Sequence, residues 1–238
     1  MCGRTTSPLS RESLARLLDV DEVVAPELPP RWNVAPTQPV YALMRANGLR
    51  TLTSLRWGLV PNWAKDPRIG SKLINARAEA ISQRPAYRSL LESRRVLLPF
   101  SGFYEWQSSD PSKSVRRQPF YFTRCDGAPL VFAGLWDEWA DAEGKPIASC
   151  TIITTRANEM MAAFHHRMPV ILAETSWEEW LGPRPLAGER LEQLLAPAAE
   201  DVLSGYPVSP AVNDVRNDRP ELIEPVMPQR PLQASLWA

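Results

Sequence analysis

The amino-acid sequence predicts an α+β fold, a single domain with a curved, mainly antiparallel, barrel-like sheet and peripheral helices. A length of 238 residues suits one domain around one hydrophobic core. The 24 prolines favour short strands joined by many loops. We therefore expect one domain over residues 2–238, with Met1 removed because the side chain of the next residue, Cys2, is small.

Seven apolar runs rich in strand-forming residues indicate the strands of this sheet, because turn residues separate them. They lie at residues 39–44, 52–60, 95–106, 119–122, 130–139, 150–154 and 169–173. The polar stretch 108–118 contains helix and strand breakers and several charges. It predicts a mobile hairpin insertion between two strands.

Leucines at helical spacing predict a first helix that starts at Ser10 and ends near residues 19–21. Ser10 is the expected N-cap, and Leu14, Leu17 and Leu18 form the expected apolar side. Shorter peripheral helices are predicted at residues 76–81, 157–164, 176–181 and 189–195.

The charge balance argues against a protein that coats nucleic acid by bulk electrostatics. Lys and Arg number 27 and Asp and Glu number 27, so the formal net charge is zero. The charge is uneven, since residues 1–100 carry 15 basic and 8 acidic side chains. Such a bias is a modest indication of an anionic partner, and more often it marks only a solvated surface.

The cysteine pattern predicts neither a disulfide framework nor a metal site. The three cysteines form no C-x-x-C pair and have no spacing to histidine that suits zinc, so we expect no metal and no cofactor. No apolar run reaches the ~18 residues of a membrane span, and the N-terminus does not resemble a signal peptide. We expect a cytoplasmic protein without membrane contact.

Cys2 has the most distinctive chemistry in the sequence. Removal of Met1 leaves a free α-amine and a thiol on the same residue. The amine, whose pKa is ordinarily about 8, can attack an aldehyde, and the thiol can then close on the imine carbon to form a thiazolidine. Gly3 and Arg4 follow, and they favour close backbone approach and phosphate contact. The alternative is a cysteine without a role at a frayed terminus.

The segment at residues 72–79 places an amide and a cation two residues apart. On a strand that leads into a helix, Asn75 and Arg77 share a side. Asn75 can then orient the Cys2 amine while Arg77 holds a phosphate. The alternative is that Asn75 is only a helix N-cap.

Glu105 lies between aromatic residues in an otherwise apolar run. Burial there suits a carboxylate for proton transfer, so Glu105 is the candidate general acid and base. The alternative left open by strand alternation is a strand in which Glu105 points to solvent.

The only two histidines, His165 and His166, are adjacent. Histidine titrates near neutrality, so one of them is a candidate for moving a proton. Adjacent residues in regular structure cannot both face one site. At least one of the two is therefore expected to be structural or exposed.

Seven blocks, in chain order and over nearly the whole chain, resemble the SRAP family. These are the SOS-response-associated peptidases, which include abasic-site DNA–protein crosslinking proteins. The blocks are MCGR at 1–4, WNVAPT at 32–37, WGLVP at 57–61 with Trp63, NARAE at 75–79, GFYEW at 102–106, FAGLW at 132–136 and H-x-R-M-P at 165–169.

The resemblance implies roles for particular residues. It implies that Cys2 is the nucleophile, and that three side chains assist Schiff-base and thiazolidine formation: Asn75, Glu105 and His165. It implies that three guanidinium groups line the path of the DNA phosphates: Arg4, Arg77 and Arg167. It also implies an α+β fold on a barrel-like sheet with a groove for single-stranded DNA, where Trp63 and Trp106 stack on bases.

The expected function is recognition of abasic sites in single-stranded DNA and their capture as a covalent thiazolidine crosslink, which protects the lesion during replication and the SOS response. An associated lyase activity is compatible with the same imine, and self-removal of Met1 stays open. The expected partners are this DNA and the replication machinery. We expect a monomer that joins the nucleoid when bound to DNA.

Two other classes of function are open on the sequence. An N-terminal-nucleophile hydrolase or protease would use the Cys2 thiolate on an amide, and it predicts turnover of peptides without DNA. A non-catalytic single-stranded DNA binding module would need only the basic first half and the tryptophans. It predicts that Cys2→Ser leaves all DNA behaviour intact.

Overall fold

The computed structural model describes residues 2–107 and 118–227, and within them it contains thirteen β-strands and five α-helices. The strands are β1 (Thr5–Ser7), β2 (Glu22–Val23), β3 (Arg31–Val34), β4 (Pro39–Ala46), β5 (Leu49–Trp57), β6 (Asn75–Arg77), β7 (Arg95–Phe100), β8 (Gly102–Gln107), β9 (Gln118–Arg124), β10 (Leu130–Ala140), β11 (Pro146–Arg156), β12 (Arg167–Pro169) and β13 (Leu203–Pro207). The helices are α1 (Arg11–Leu17), α2 (Pro85–Ser93), α3 (Glu159–Ala162), α4 (Trp177–Leu181) and α5 (Gly188–Leu194).

Five strands form a closed barrel. Strands β11, β10, β7, β4 and β5 pair antiparallel in this order. The barrel closes where β5 pairs in parallel with β11, with Arg56 opposite Ser149 and Trp57 opposite Cys150. Strands β2, β6 and β12 pair with members of the barrel. The closed and mainly antiparallel sheet confirms the predicted fold class.

A second sheet has the strand order β13-β9-β8-β1-β3, and all its pairs are antiparallel. The chain leaves the barrel at the end of β7 and enters this sheet at β8, so the run predicted as one strand at 95–106 is two strands. The N-terminal strand β1 lies beside β8, with Thr5 opposite Phe103. A Cβ atom at Gly102 would lie 2.3 Å from the ring of Tyr121, so this crossing requires glycine.

Both faces of the barrel sheet are buried. One face packs against the helices in a cluster that includes Leu97 and Trp180. The opposite face packs against the second sheet, where the rings of Phe132 and Phe103 lie 5.9 Å apart. Cys2 belongs to this second cluster. Cys2 is therefore buried between the two sheets.

The first helix begins as predicted. The Ser10 side chain accepts a hydrogen bond from the Ser13 backbone N–H at 3.2 Å, and α1 starts at the next residue. Leu14 and Leu18 are buried, but Leu17 is 42% exposed. The predicted apolar side was therefore one residue too wide.

The predicted helix at residues 76–81 is wrong. Residues Asn75–Arg77 form β6, and a single 3-10 turn at Ala78–Ala80 follows. The alanines favour a helix locally, but β6 pairs in parallel with β11, which satisfies its backbone groups. The strand prediction for the start of this segment was correct, and no N-cap role for Asn75 arises.

Helix α2 and strands β1, β2, β3 and β13 were not predicted, and the other elements differ from the predictions mainly in their bounds. Helices α3, α4 and α5 lie within or close to the predicted ranges. The strand predicted at 169–173 begins earlier, as β12. The predicted insertion at 108–118 lies outside the described residues except for Gln118, which begins β9. No helix among the described residues is long and apolar enough to cross a membrane.

Candidate active site around Cys2

Cys2 is fully buried in the 238-residue chain. Burial raises the pKa of its thiol, and the negative charge of Glu105 raises that pKa further. A hydrogen bond from the Arg4 backbone offsets only part of this effect on the thiol pKa. At neutral pH the side chain is therefore a thiol rather than a thiolate.

Asn75 contacts the main chain of Cys2. Strand β6 places Asn75 opposite Ile152 of β11, and the Asn75 Nδ2 atom donates a hydrogen bond to the Cys2 carbonyl oxygen at 2.8 Å. The Asn75 Oδ1 atom is buried and has no hydrogen-bond partner among the described residues. A buried amide oxygen left without a donor is rare in folded proteins. This oxygen is available to an N–H group at the site.

Glu105 is buried, with 5% of the residue exposed. Strand β8 aligns with the N-terminal segment, since the Tyr104 backbone N–H donates to the Arg4 carbonyl at 3.0 Å. Glu105 and Phe103 share one side of β8, and Phe103 packs in the cluster that contains Cys2. The alternative in which Glu105 points to solvent is excluded by this burial.

His165 lies in the loop between α3 and β12. Its Nδ1 atom accepts a hydrogen bond from the Arg167 backbone N–H at 2.9 Å, so in the neutral ring the proton is on Nε2. Burial lowers the pKa of His165 to about 4. The ring stacks on the exposed His166 with 4.3 Å between centroids. At neutral pH His165 is therefore an uncharged imidazole whose N–H is at Nε2.

The residue before His165 links its loop to the cluster around Cys2. Phe164 packs against two rings of β9, with centroid distances of 4.7 Å to Phe120 and 5.0 Å to Phe122. All three rings are associated with the cluster that contains Cys2. The His165 loop therefore borders the same buried region.

Arg167 is buried and its guanidinium is paired within the protein. Its Nη1 atom donates to both carboxylate oxygens of Glu79 at 2.8 Å, and its Nη2 atom donates to the Thr154 carbonyl. The predicted phosphate contact stays a prediction. The contacts observed instead join β12, β11 and the turn after β6, and they support the backbone that holds His165.

Arg4 is anchored by a group that we call the N-terminal clasp: Arg4, Asn33 and the carbonyls of Val212, Asp214 and Asn217. Arg4 Nη1 donates to Asn33 Oδ1 at 2.6 Å and to the Val212 carbonyl at 2.8 Å. Asn33 Nδ2 lies within hydrogen-bond distance of all three carbonyls, at 2.7 to 3.2 Å. Asn33 is fully buried. The clasp ties the start of the chain to a late segment.

No role had been assigned to Asn33 from the sequence. The sequence feature that could have indicated a role is an asparagine inside a strand-forming run. If such an amide is buried, it needs several hydrogen-bond partners. Its carbonyl partners lie 179 to 184 residues further along the chain, which no local pattern indicates.

The predicted DNA-contacting side chains differ in exposure. Arg77 is exposed and Trp63 is 59% exposed. Trp106 is partly buried, donates through Nε1 to Asn213 Oδ1 at 2.7 Å, and has the Arg4 guanidinium 5.9 Å from its ring centroid. Arg77 and Trp63 are thus the two predicted contacts that are most open to a ligand.

The sequence matches known proteins over nearly its whole length. It matches the family model described as SOS response associated peptidase (SRAP) over residues 1–215. Abasic site processing protein YoqW of Bacillus subtilis (strain 168) is 40% identical over 225 residues, which cover 94% of this chain and 99% of YoqW. Abasic site processing protein YedK of Escherichia coli (strain K12) is 30% identical over 236 residues, which cover 95% of this chain and 100% of YedK.

A solved structure of a protein from Bacteroides thetaiotaomicron has the same fold. It superposes with a TM-score of 0.82 at 22% identity and covers 95% of this chain and 100% of its own. At that identity the likeness concerns the fold. The family match over most of the sequence and the relatives at 30% and 40% identity extend it to the family. The chain belongs to the SOS response associated peptidase (SRAP) family.

Proposed function

We propose that this protein processes abasic sites in single-stranded DNA by capturing them covalently through Cys2, after Met1 has been removed. The names of YoqW and YedK as abasic site processing proteins support the lesion as the substrate. The observation that carries the proposal is the hydrogen bond from Asn75 to the Cys2 carbonyl at 2.8 Å, which fixes the residue that would bear the new amine. The buried Glu105 carboxylate lies close enough to raise the thiol pKa of Cys2.

The proposed reaction is a condensation that releases one water. The Cys2 amine adds to the C1′ aldehyde of the opened abasic sugar, and loss of water from the carbinolamine leaves an imine. The thiol then gives up its S–H proton as the sulfur bonds to the imine carbon, the C=N π electrons move to nitrogen, and nitrogen takes up a proton in its place. The product is a thiazolidine that links Cys2 to C1′.

Each polar side chain has a defined task in this proposal. Asn75 holds the Cys2 carbonyl through Nδ2, and its buried Oδ1 accepts an N–H of the free amine. Glu105 moves protons between the amine and the sugar oxygens. His165 is neutral because burial lowers its pKa to about 4, so it acts by donating a hydrogen bond through Nε2 to the opening sugar.

The state of the thiol favours this order of steps over peptide hydrolysis. A cysteine peptidase needs a thiolate, and such cysteines have a lowered pKa. In the chain that retains Met1, the pKa of the Cys2 thiol is instead raised by burial and by Glu105. An amine attack that comes first does not require a thiolate, so it fits the buried position of Cys2 better. The family description as a peptidase keeps hydrolysis as the second candidate.

The proposed DNA path begins with the exposed side chains. Arg77 contacts a phosphate and Trp63 stacks on a base near the lesion. Arg4 and Arg167 have a supporting part, since each guanidinium already has protein acceptors. Trp106 stacks on a base with the part of its ring that Arg4 leaves open. Strand cleavage by β-elimination from the same imine is a competing branch of the proposed reaction.

The test uses purified protein whose free Cys2 amine has been verified by mass spectrometry. It is incubated with a single-stranded oligonucleotide that carries one abasic site, and denaturing electrophoresis detects a covalent product. We expect a product with the mass of both partners minus one water. Cys2→Ala keeps the amine but lacks the thiol, so it should abolish the product that survives denaturing electrophoresis without borohydride. Cys150→Ala, at the other fully buried free cysteine, should leave that product intact.

The variants separate the candidate functions. Cys2→Ser keeps the amine but lacks the thiol, so it should form only a reducible imine that borohydride traps. Loss of the product in Cys2→Ala but not in Cys150→Ala supports the proposal. Absence of any product with folded, processed protein contradicts it, and Cys2-dependent peptide turnover in the same preparation would establish the hydrolase. DNA binding that is unchanged in Cys2→Ser, without a covalent product from either protein, would establish the binding module.

A further inference from the structure

The loop at residues 58–64, here called the aromatic loop, follows β5 and carries Trp63. The Trp63 side chain projects into solvent, since the residue is 59% exposed. The loop backbone is nevertheless held at its start. The Gly58 N–H donates to the Cys150 carbonyl and the Val60 N–H to Ser149 Oγ, both at 2.8 Å.

The two residues that flank Trp63 are held by strand β10. The Asn62 backbone N–H donates to Asp137 Oδ2 at 2.8 Å. On the other side, Trp139 Nε1 donates to the Ala64 carbonyl at 2.7 Å. Both tethers are made by side chains of one barrel strand, two residues apart and therefore on the same side of it. They fix the backbone before and after Trp63 while leaving its ring uncovered.

Asp137 is the most informative of these groups. It is buried, with 2% of the residue exposed, although carboxylates are almost never buried without partners. Its Oδ1 atom accepts from the Glu138 backbone N–H at 2.9 Å, and Arg94 Nη1 lies 3.7 Å from Oδ1. Its Oδ2 atom accepts the hydrogen bond from the Asn62 N–H of the aromatic loop. A buried charge on a barrel strand is expensive, so its contact with the loop calls for a reason beyond packing.

We propose that Asp137 is a positioning residue that holds the aromatic loop so that Trp63 stands ready to stack on a base of single-stranded DNA. The inference rests on the DNA partner of the proposed function, and it adds a residue for which no role was expected from the sequence. Asp137 does not touch DNA. It acts through Asn62, by removing the backbone freedom that Trp63 would otherwise lose on binding.

The test is a double-mutant cycle with Asp137→Ala, Trp63→Ala and the double variant. Fluorescence anisotropy measures the Kd for an undamaged, labelled single-stranded oligonucleotide at one fixed salt concentration. We expect Trp63→Ala to weaken binding about tenfold, in the range of one lost base–aromatic stack. Asp137→Ala should weaken binding to a similar extent. The double variant should bind no more weakly than Trp63→Ala, because Asp137 acts only through that ring.

A purely structural role predicts a different cycle. If Asp137→Ala weakens binding by the same factor with and without Trp63, its effect does not pass through the ring, and the proposal is overturned. It is also overturned if Trp63→Ala leaves the Kd unchanged. The matched control is Asp141→Ala on the neighbouring turn, where the carboxylate caps the Lys145 N–H at 2.7 Å instead of holding the loop. It should bind like the wild type.

Two milder variants keep the test decisive if Asp137→Ala does not fold. Asp137→Asn retains an oxygen that accepts the Asn62 N–H, so it should restore binding to within about twofold of the wild type. Trp139→Phe removes the bond to the Ala64 carbonyl while it keeps an aromatic ring, and it should weaken binding in the wild type but not in Trp63→Ala. A loss in Asp137→Asn as large as that in Trp63→Ala would overturn the proposal. These measurements use undamaged DNA, so they test the role of Asp137 even if the protein does not capture abasic sites covalently.

Discussion

The centre, meaning the candidate site around Cys2, and the aromatic loop are held in place by different kinds of contact. At the centre, Cys2 and Glu105 are buried, and Asn75 donates a hydrogen bond to the main chain of Cys2 at 2.8 Å. In the aromatic loop the contacts fix the backbone, and the functional side chain of Trp63 is left 59% exposed. One region desolvates its polar groups, whereas the other presents an apolar ring to water.

This difference follows from the chemistry expected of each region. A group that forms a bond must be oriented and shielded from competing water. A ring that stacks on a base must stay accessible, so its order has to come from elsewhere. The predictions that follow test whether burial at the centre and backbone tethering at the loop have these separate consequences.

The largest expected effect is a contrast in thiol reactivity within the chain that retains Met1. Cys125 is exposed, whereas Cys2 is buried and its thiol pKa is raised by burial and by Glu105. At pH 8 we expect iodoacetamide to modify Cys125 at least about a hundredfold faster than Cys2, since each pKa unit lowers the thiolate fraction about tenfold. Peptide mass spectrometry measures both rates. Equal rates would show that the centre is open.

The next effect concerns the N-terminal clasp. Asn33→Ala removes a fully buried amide and leaves Arg4 Nη1 and three carbonyls with fewer partners. We expect the free energy of unfolding to fall by about 2 to 3 kcal/mol. Urea denaturation measures it, with Gln83→Ala as an exposed control within about 0.5 kcal/mol of the wild type. A loss no larger than in the control would show that the clasp does not stabilise the centre.

A smaller effect is expected on the rate of capture. Asn75→Ala deletes the bond to the Cys2 carbonyl, so the single-turnover rate on an abasic oligonucleotide should fall about tenfold, with a stability loss of only about 1 kcal/mol. Quenched-flow samples on denaturing gels give the rate. An unchanged rate in a folded variant would contradict the orienting role.

The smallest effect concerns the titration of His165, whose imidazole we expect to stay unprotonated in the folded protein between pH 7 and pH 5. Burial lowers its pKa to about 4, so the folded protein keeps the ring neutral over this interval. Because the unfolded chain binds the proton first, near about pH 6.5, the stability from this group is present above that pH and is lost as pH falls towards 4. NMR titration of the imidazole carbons, assigned with His165→Gln, tests this. A midpoint near 6.5 would place His165 in solvent.

Local patterns predicted much of the architecture. Apolar runs identified the strands of the barrel, and Ser10 was correctly identified as the N-cap of α1. The helix at 76–81 failed because the alanines favour a helix locally, whereas parallel pairing with β11 satisfies the backbone as a strand. The role of Asn33 was missed because its carbonyl acceptors lie 179 to 184 residues further along the chain, where no local pattern connects them to it.

The candidate site shows the same division. The sequence by itself determined which groups are chemically competent: an amine and thiol on one residue, a carboxylate among aromatic rings, and a histidine. These are properties of residues and of short-range alternation. Only the tertiary structure decided that Asn75 meets the carbonyl of a residue 73 positions away, that Arg167 pairs with Glu79, and that Asp137 holds the loop of Trp63. The physical reason is that these contacts depend on barrel closure and on pairing between distant strands, which no local pattern encodes.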